Sequence, residues 1–312
     1  MHLQRRHFLK VTSSVMLSMM VSPQLIRKLA DHGLSISLAE WSFHRALQAG
    51  QMDHLDFPLI AKRDYNISAV EYVNGFFGGK KMDFKMAGKN KPYLNELLKR
   101  SKDAGVVNHL IMIDDEGPLA VLDGKERLAA IENHKKWIDA AKFLGCKTIR
   151  VNLHGEAHRE DKKFVSIDSL SKLSELAGPE LNVVVENHGH ESSDGGWLVE
   201  VMKGVNKQNV GTLPDFGNFC LTHPWGETQS PCEKMYDRYQ GVQEMLPYAK
   251  GVSAKSYDFD SKGDQPLMDY KRLLDIVKKS GFRGYIGIEY EGNIQAEDEG
   301  VRKTKALLEK YL

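Results

Sequence analysis

Net charge is almost absent from this chain: 43 Lys+Arg against 42 Asp+Glu leave +1 at neutral pH. Such a balance provides no global field to attract nucleic acid or an anionic membrane. Sustained heptads, low-complexity tracts and short-period repeats are also missing, and no GxGxxG turn follows the first apolar strand candidate. The last absence weakens an open dinucleotide-binding sheet. Cysteine is scarce, with only Cys146, Cys220 and Cys232. An odd count leaves at least one thiol unpaired. Cys146 precedes an apolar run and reads as a small core residue, whereas Cys220 and Cys232 could pair without any spacing that requires it.

The N-terminus carries a distinct signal. "QRRHFLK", from Gln4 to Lys10, precedes the moderately apolar "VTSSVMLSMMVS". Paired arginines followed by Phe8, Leu9 and Lys10 match a twin-arginine export pattern. We therefore expect residues 1–30 to be an export signal outside the fold, with a periplasmic destination. The apolar run is too short to remain as a membrane-spanning anchor.

From Leu34 onward, β-like runs alternate with helical stretches. The eight strand candidates are residues 34–41, 67–74, 106–114, 146–154, 181–188, 210–217, 250–257 and 285–292. Runs such as "LIMI" and "VVV" lack strict alternation, as expected for parallel strands covered on both faces. Residues 125–144 predict a helix with Leu128, Ile131, Ile138 and Ala141 on one face. Residues 268–281 predict another, ending in Lys-Lys and a glycine stop. Eight β/α units over residues 31–312 imply one α/β domain, a (β/α)8 TIM barrel.

In such a barrel the active groups stand at the C-terminal ends of strands. "VVVENHG" ends strand five at Glu186 and His188. "PDFGN" places Asp215 after strand six, and "GIEYEG" ends strand eight with Glu289 and Glu291. His154 ends strand four. Each has an ordinary alternative: Glu186 could pair with Arg150, and Asp215 could be a turn aspartate. Carboxylates converging from separate strands would repel and raise one another's pKa, a conflict that a divalent cation removes.

These three motifs, in that order, resemble the sugar phosphate isomerase/epimerase superfamily. This xylose-isomerase-like TIM-barrel group also includes ketose 3-epimerases and some AP endonucleases. "SLAEWSFHRAL" and "ISAVEYVN" are similar to the group's first two strands. The resemblance implies Glu186, Asp215 and Glu289 as metal ligands, with Glu186 and Glu289 also moving the substrate proton. Strand seven departs from the pattern. Where relatives commonly read His-x-Lys-Asp, this chain has Ser253 at the histidine position, Lys255 retained and Ser256 at the aspartate position. A serine hydroxyl is a poorer ligand than imidazole, so His188, His154 or water would complete the shell, or Lys255 would supply the positive charge.

The expected activity is therefore that of an exported sugar isomerase or epimerase. It would act by proton abstraction next to a carbonyl, with Glu186, Glu289 and Lys255 catalytic. The expected cofactor is a divalent ion: Mn, Mg, Co or Zn. His154, His188, Trp41, Glu71 and Ser253 are expected around the substrate, and residues 75–92 read as a lid. The partner is a small carbohydrate, with neither nucleic acid nor a stable membrane anchor; an oligomer is compatible with this reading. Two alternatives use the same carboxylates: a lyase or hydrolase-like enzyme on oxidised sugars or glycosides, and a non-catalytic sugar-binding barrel that has lost its metal. An AP endonuclease fits less well, because Asn218 stands where Asp-x-x-His would place a histidine after Asp215.

Overall fold

The computed structural model describes residues 33–223 and 231–312. The expected export segment, residues 1–30, lies outside the described residues. The rest forms eight parallel strands: β1 (Leu34–Ala39), β2 (Ala69–Val73), β3 (Val107–Met112), β4 (Thr148–Val151), β5 (Asn182–Glu186), β6 (Val210–Leu213), β7 (Val252–Ser256) and β8 (Gly284–Tyr290). Seven of the eight sequence candidates contain one of them whole, and β8 begins one residue before its candidate. The ladder order β6-β5-β4-β3-β2-β1-β8-β7 leaves only β6 and β7 without a continuous pairing.

That seam has a local cause. Pro214 follows β6 and has no N–H to donate, which interrupts the ladder. Its carbonyl still accepts from Ser253 N at 2.9 Å, and Phe216 N donates to Ser253 O at 3.1 Å. Isolated parallel bridges Thr212↔Ala249 and Asp215↔Ser253 span the gap. The result is a nearly closed (β/α)8 barrel, with the Asp215 and Ser253 side chains brought together at the seam.

Helices follow the strands on the outside, among them Lys91–Asp103, Gly124–Leu144, Arg159–Ala177, Gly195–Val205, Tyr270–Ser280 and Glu297–Tyr311. Their starts carry the expected acidic or amide caps. Asp123 accepts from two backbone N–H groups, and Asp194 and Asp269 accept from one each. Gly145 and Gly281 end two helices with positive φ. Among the described residues, no helix is long and apolar enough to cross a membrane.

The helix Gly124–Leu144 corrects one expectation. Ile131, Ile138 and Ala141 are buried, but Leu128 is exposed. The buried arc runs through His134 and Trp137, and Trp137 lies about two and a half turns from Leu128, so it faces the opposite way. Cys220 and Cys232, which the sequence allows but does not require to pair, form a disulfide, and Cys146 is a buried free thiol.

Strand alternation separates two cores. Outward residues such as Ile149, Val151, Val183, Val185, Ile286 and Ile288 join the layer beneath the helices. Inward residues Ala39, Val73, Leu110, Met112, Val184 and Leu213 form a smaller plug inside the barrel. Above the plug, the next inward positions on β5 and after β6 are Glu186 and Asp215, because inward side chains recur every second residue.

Candidate active site

Glu186, Asp215 and Glu289 converge at the C-terminal mouth. Each presents a carboxylate oxygen, and these oxygens all lie within 4.8 Å of one another. All three residues are buried. Asp215 is held tightly: its Oδ1 accepts from the backbone N–H groups of Gly217 and Asn218, both at 2.8 Å. Its Oδ2 accepts from Ser253 Oγ at 2.6 Å. Asp215 is thus the turn aspartate its local sequence suggests and a member of the cluster as well.

Ser253 lies between two acids. Its Oγ is 2.6 Å from Asp215 Oδ2 and 3.1 Å from Glu289 Oε2. One hydroxyl carries one proton and can donate fully to only one of them. Lys255 Nζ stands 3.2 Å from both Glu289 Oε1 and Glu291 Oε2, and 3.3 Å from Asn218 Oδ1. Gly217 makes room for this lysine, because a Cβ there would come within 2.9 Å of Lys255 Cδ and 2.6 Å of Tyr257 Oη.

Arg150 on β4 supplies a second cation. Its Nε lies 3.0 Å from Glu186 Oε2, and its Nη1 donates to Asp114 Oδ1 at 2.5 Å. Asn218 Nδ2 donates to the other Glu186 oxygen at 3.2 Å. Five carboxylates, those of Glu186, Asp215, Glu289, Glu291 and Asp114, are therefore set against the two cations Arg150 and Lys255. Burial, reinforced by Glu289 and Asp215 and opposed by Arg150 and Lys255, pushes Glu186 well above the usual carboxylate range. Burial also lifts Asp215 to about 6 against the pull of Lys255. For Lys255 the surrounding carboxylates outweigh burial and hold its ammonium protonated. The excess of negative charge and the close all-oxygen donor set fit a hard divalent ion held by Glu186, Asp215 and Glu289.

The cavity over this cluster measures about 920 Å³, and its lining includes Glu186, Glu289, Glu291, Arg150, His188 and Trp41. His188 lies with its Nδ1 3.2 Å from Asn152 Oδ1, and burial, with Arg150 and Lys255, lowers its pKa to about 3, so its imidazole is neutral. Trp41 Nε1 donates to Glu291 Oε1 at 2.6 Å, which fixes the indole at the rim.

Several expected residues stand elsewhere. His154 is half-buried and does not line this cavity. Glu71, expected near substrate hydroxyls, is buried inside the barrel and does not line the cavity either. It accepts from Ser37 Oγ at 2.5 Å, and burial followed by Glu289 raises it to about 7. Lys255, expected to reach a substrate carbonyl, is 1% exposed and sits beside Glu289, its register partner on β8; Arg150 is the barrel cation that lines the cavity. The expected lid is a fixed wall in its first part. Phe77 is buried against His54 at 4.3 Å and Trp137 at 5.1 Å, and Lys80 Nζ donates to Ala49 O at 2.7 Å.

Asp114 and Arg150 also belong to the site, although the three motifs do not include them. Asp114 follows β3 as Glu186 ends β5, and the same strand-end rule applied to "LIMIDD" points to it. Arg150 is two residues before the inward Asn152, so alternation alone places it inside.

Comparison with known proteins agrees with this architecture. The chain superposes on a 3-keto-D-glucoside 4-epimerase from E. coli with a TM-score of 0.63 at 15% identity, covering 89% of this chain and 99% of that one. For the zinc-bound IolI protein the TM-score is 0.64 at 16% identity, with coverage of 89% and 99%. For a D-psicose 3-epimerase it is 0.60 at 13% identity, with coverage of 90% and 99%. A short segment is 39% identical over 54 residues to the C-glycoside deglycosidase alpha subunit of Arthrobacter globiformis, which is 17% of this chain and 15% of that protein. Residues 59–311 match the family profile described as xylose isomerase-like TIM barrel. With eight parallel strands, a carboxylate cluster at their C-terminal ends and a profile match across most of its length, the chain belongs to the xylose isomerase-like TIM barrel family.

Proposed function

We propose that the protein is an exported sugar isomerase or epimerase that abstracts a proton next to a carbonyl. The carrying observation is that Glu186 and Glu289, from the separate strands β5 and β8, both line the cavity while their carboxylates lie within 4.8 Å of each other. One removes the proton from the carbon beside the carbonyl, leaving an enediolate. The other returns a proton, to the opposite face for an epimer or to the neighbouring carbon for an isomer. Burial raises the pKa of Glu186, which makes it a stronger base than an ordinary carboxylate. Arg150 orients Glu186 and places positive charge at the cavity. Lys255 balances Glu289 and Glu291 without lining the cavity. A divalent ion (Mn, Mg, Co or Zn) held by Glu186, Asp215 and Glu289 would polarise the substrate carbonyl.

The matched segment of the deglycosidase subunit favours a second reading, in which the same proton abstraction expels a substituent from an oxidised glycoside. Both readings share their first step, so one experiment tests it. A 3-keto-glucoside is incubated in D₂O, and exchange beside the carbonyl is followed by NMR. Exchange that is lost in Glu186→Gln and Glu289→Gln supports the mechanism. An epimer among the products marks the first reading, and release of the substituent marks the second. Absence of exchange in the parent protein refutes both.

A further inference from the structure

The cavity exceeds what the carboxylate cluster alone requires. At about 920 Å³ it lies near the top of the range that encloses a drug-sized ligand. A hexose has about a dozen non-hydrogen atoms, roughly half of such a ligand. Beyond the carboxylate cluster and its neighbours Asp114, Arg150, His188 and Glu291, most of the lining comes from the segments after β1 and β2, out to Gln51, Asp53 and Lys81.

These outer walls are built rather than loose. Trp41 is pinned by its hydrogen bond to Glu291, and Phe76 stacks on it with centroids 5.8 Å apart and planes 25° apart. Phe77, the next residue, is locked in the core. Lys80 ties the β2 segment to Ala49 O at 2.7 Å, and Lys81 Nζ approaches Asp53 Oδ2 at 3.8 Å. The outer space therefore joins an aromatic pair to a rim of amide, carboxylate and ammonium groups. Aromatic faces suit the C–H face of a pyranose, and the rim offers donors and acceptors for its hydroxyls.

We infer that this outer space is a second sugar subsite and that the substrate is a two-ring glycoside. The oxidised ring sits over Glu186 and Glu289, and the linked ring rests against Phe76 and the edge of Trp41, whose ring is stacked by both His44 and Phe76. The inference rests on the proton-abstraction reading for the inner ring, but the outer subsite can be tested without turnover.

The probes are a 3-ketohexose as its methyl glycoside and the same ring as part of a disaccharide. The readout is the ratio of their kcat/KM values for deuterium exchange, disaccharide over methyl glycoside. The expected ratio is about tenfold or more. Phe76→Ala should lower it. Gly75→Phe should lower it further: Gly75 lines the cavity without positive φ, and a Cβ there meets nothing within 4 Å, so a ring is accommodated and fills the outer space. A ratio near one in the parent, or one unmoved by both variants, overturns the subsite. Calorimetry with the unoxidised disaccharide and methyl glycoside reads the same preference without chemistry. Tighter disaccharide binding with no exchange of any probe would defeat the proposed reaction and leave the subsite standing. Equal binding defeats the subsite whether or not exchange occurs.

Discussion

Replacing Glu71 with glutamine should make the protein more stable in mildly alkaline solution and leave it unchanged in mild acid. Glu71 is buried within the barrel, and its Oε2 has no hydrogen-bond partner. The backbone of β8 closes over it: a Cβ on Gly287 would lie 2.7 Å from its Oε1. Burial, against the hydrogen bond from Ser37 and with repulsion from Glu289, raises its pKa from 4.5 to about 7. Between those two values the folded state binds a proton that the unfolded chain has released. Stability from this group is therefore complete below the unfolded value and is lost as pH rises to the folded one. A displacement of that size corresponds to roughly 3 kcal/mol. The assay is urea unfolding followed by tryptophan fluorescence, with chelator present, from about pH 4 to about pH 8. Glu71→Gln keeps the shape and removes the titration, so the difference between the two curves should grow from near zero to about 3 kcal/mol. Parallel curves would refute the reasoning and show that Glu71 is ionised in the folded barrel, with Arg150 as the group that would offset its charge.

Ser253→His should tighten binding of Mn²⁺ or Zn²⁺, because imidazole replaces a hydroxyl beside Asp215 and Glu289, while Glu186→Gln and Asp215→Asn should weaken it. Calorimetric titration checks this; no binding in the parent and none gained by Ser253→His would end the metal assignment. Lys255→Met should cost about 3–5 kcal/mol in urea unfolding, because Glu289 and Glu291 lose their buried counter-charge; an unchanged midpoint would contradict that role. We propose that residues 1–30 direct export, so Lys at positions 5 and 6 in place of Arg5 and Arg6 should retain the protein in the cytoplasm; fractionation showing normal export would remove the twin-arginine assignment.

The strands were legible because their signals are local. Each apolar run ends in a polar or glycine-containing segment, and inward positions recur at every second residue. That logic was enough to bring Glu186, Asp215 and Glu289 to one mouth. It faltered where a face or a depth had to be chosen. Leu128 shares a spacing with apolar neighbours yet lies off the arc centred on His134 and Trp137. His154 follows β4 much as the cavity residues follow their strands, yet it does not line the cavity, and Glu71 stands in the middle of β2 and is buried inside the barrel.

The sequence by itself determined the alternation of β and α units, the strand-end carboxylates and the serine at the strand-seven position, since each depends on residue order and short-range periodicity. Only the tertiary structure decided how the charges are shared: Arg150 between Asp114 and Glu186, Lys255 between Glu289 and Glu291, and Ser253 across the β6–β7 seam. Those pairings join residues far apart in the chain. They are set by strand register and by the closure of the barrel around Pro214, and no local pattern carries that information.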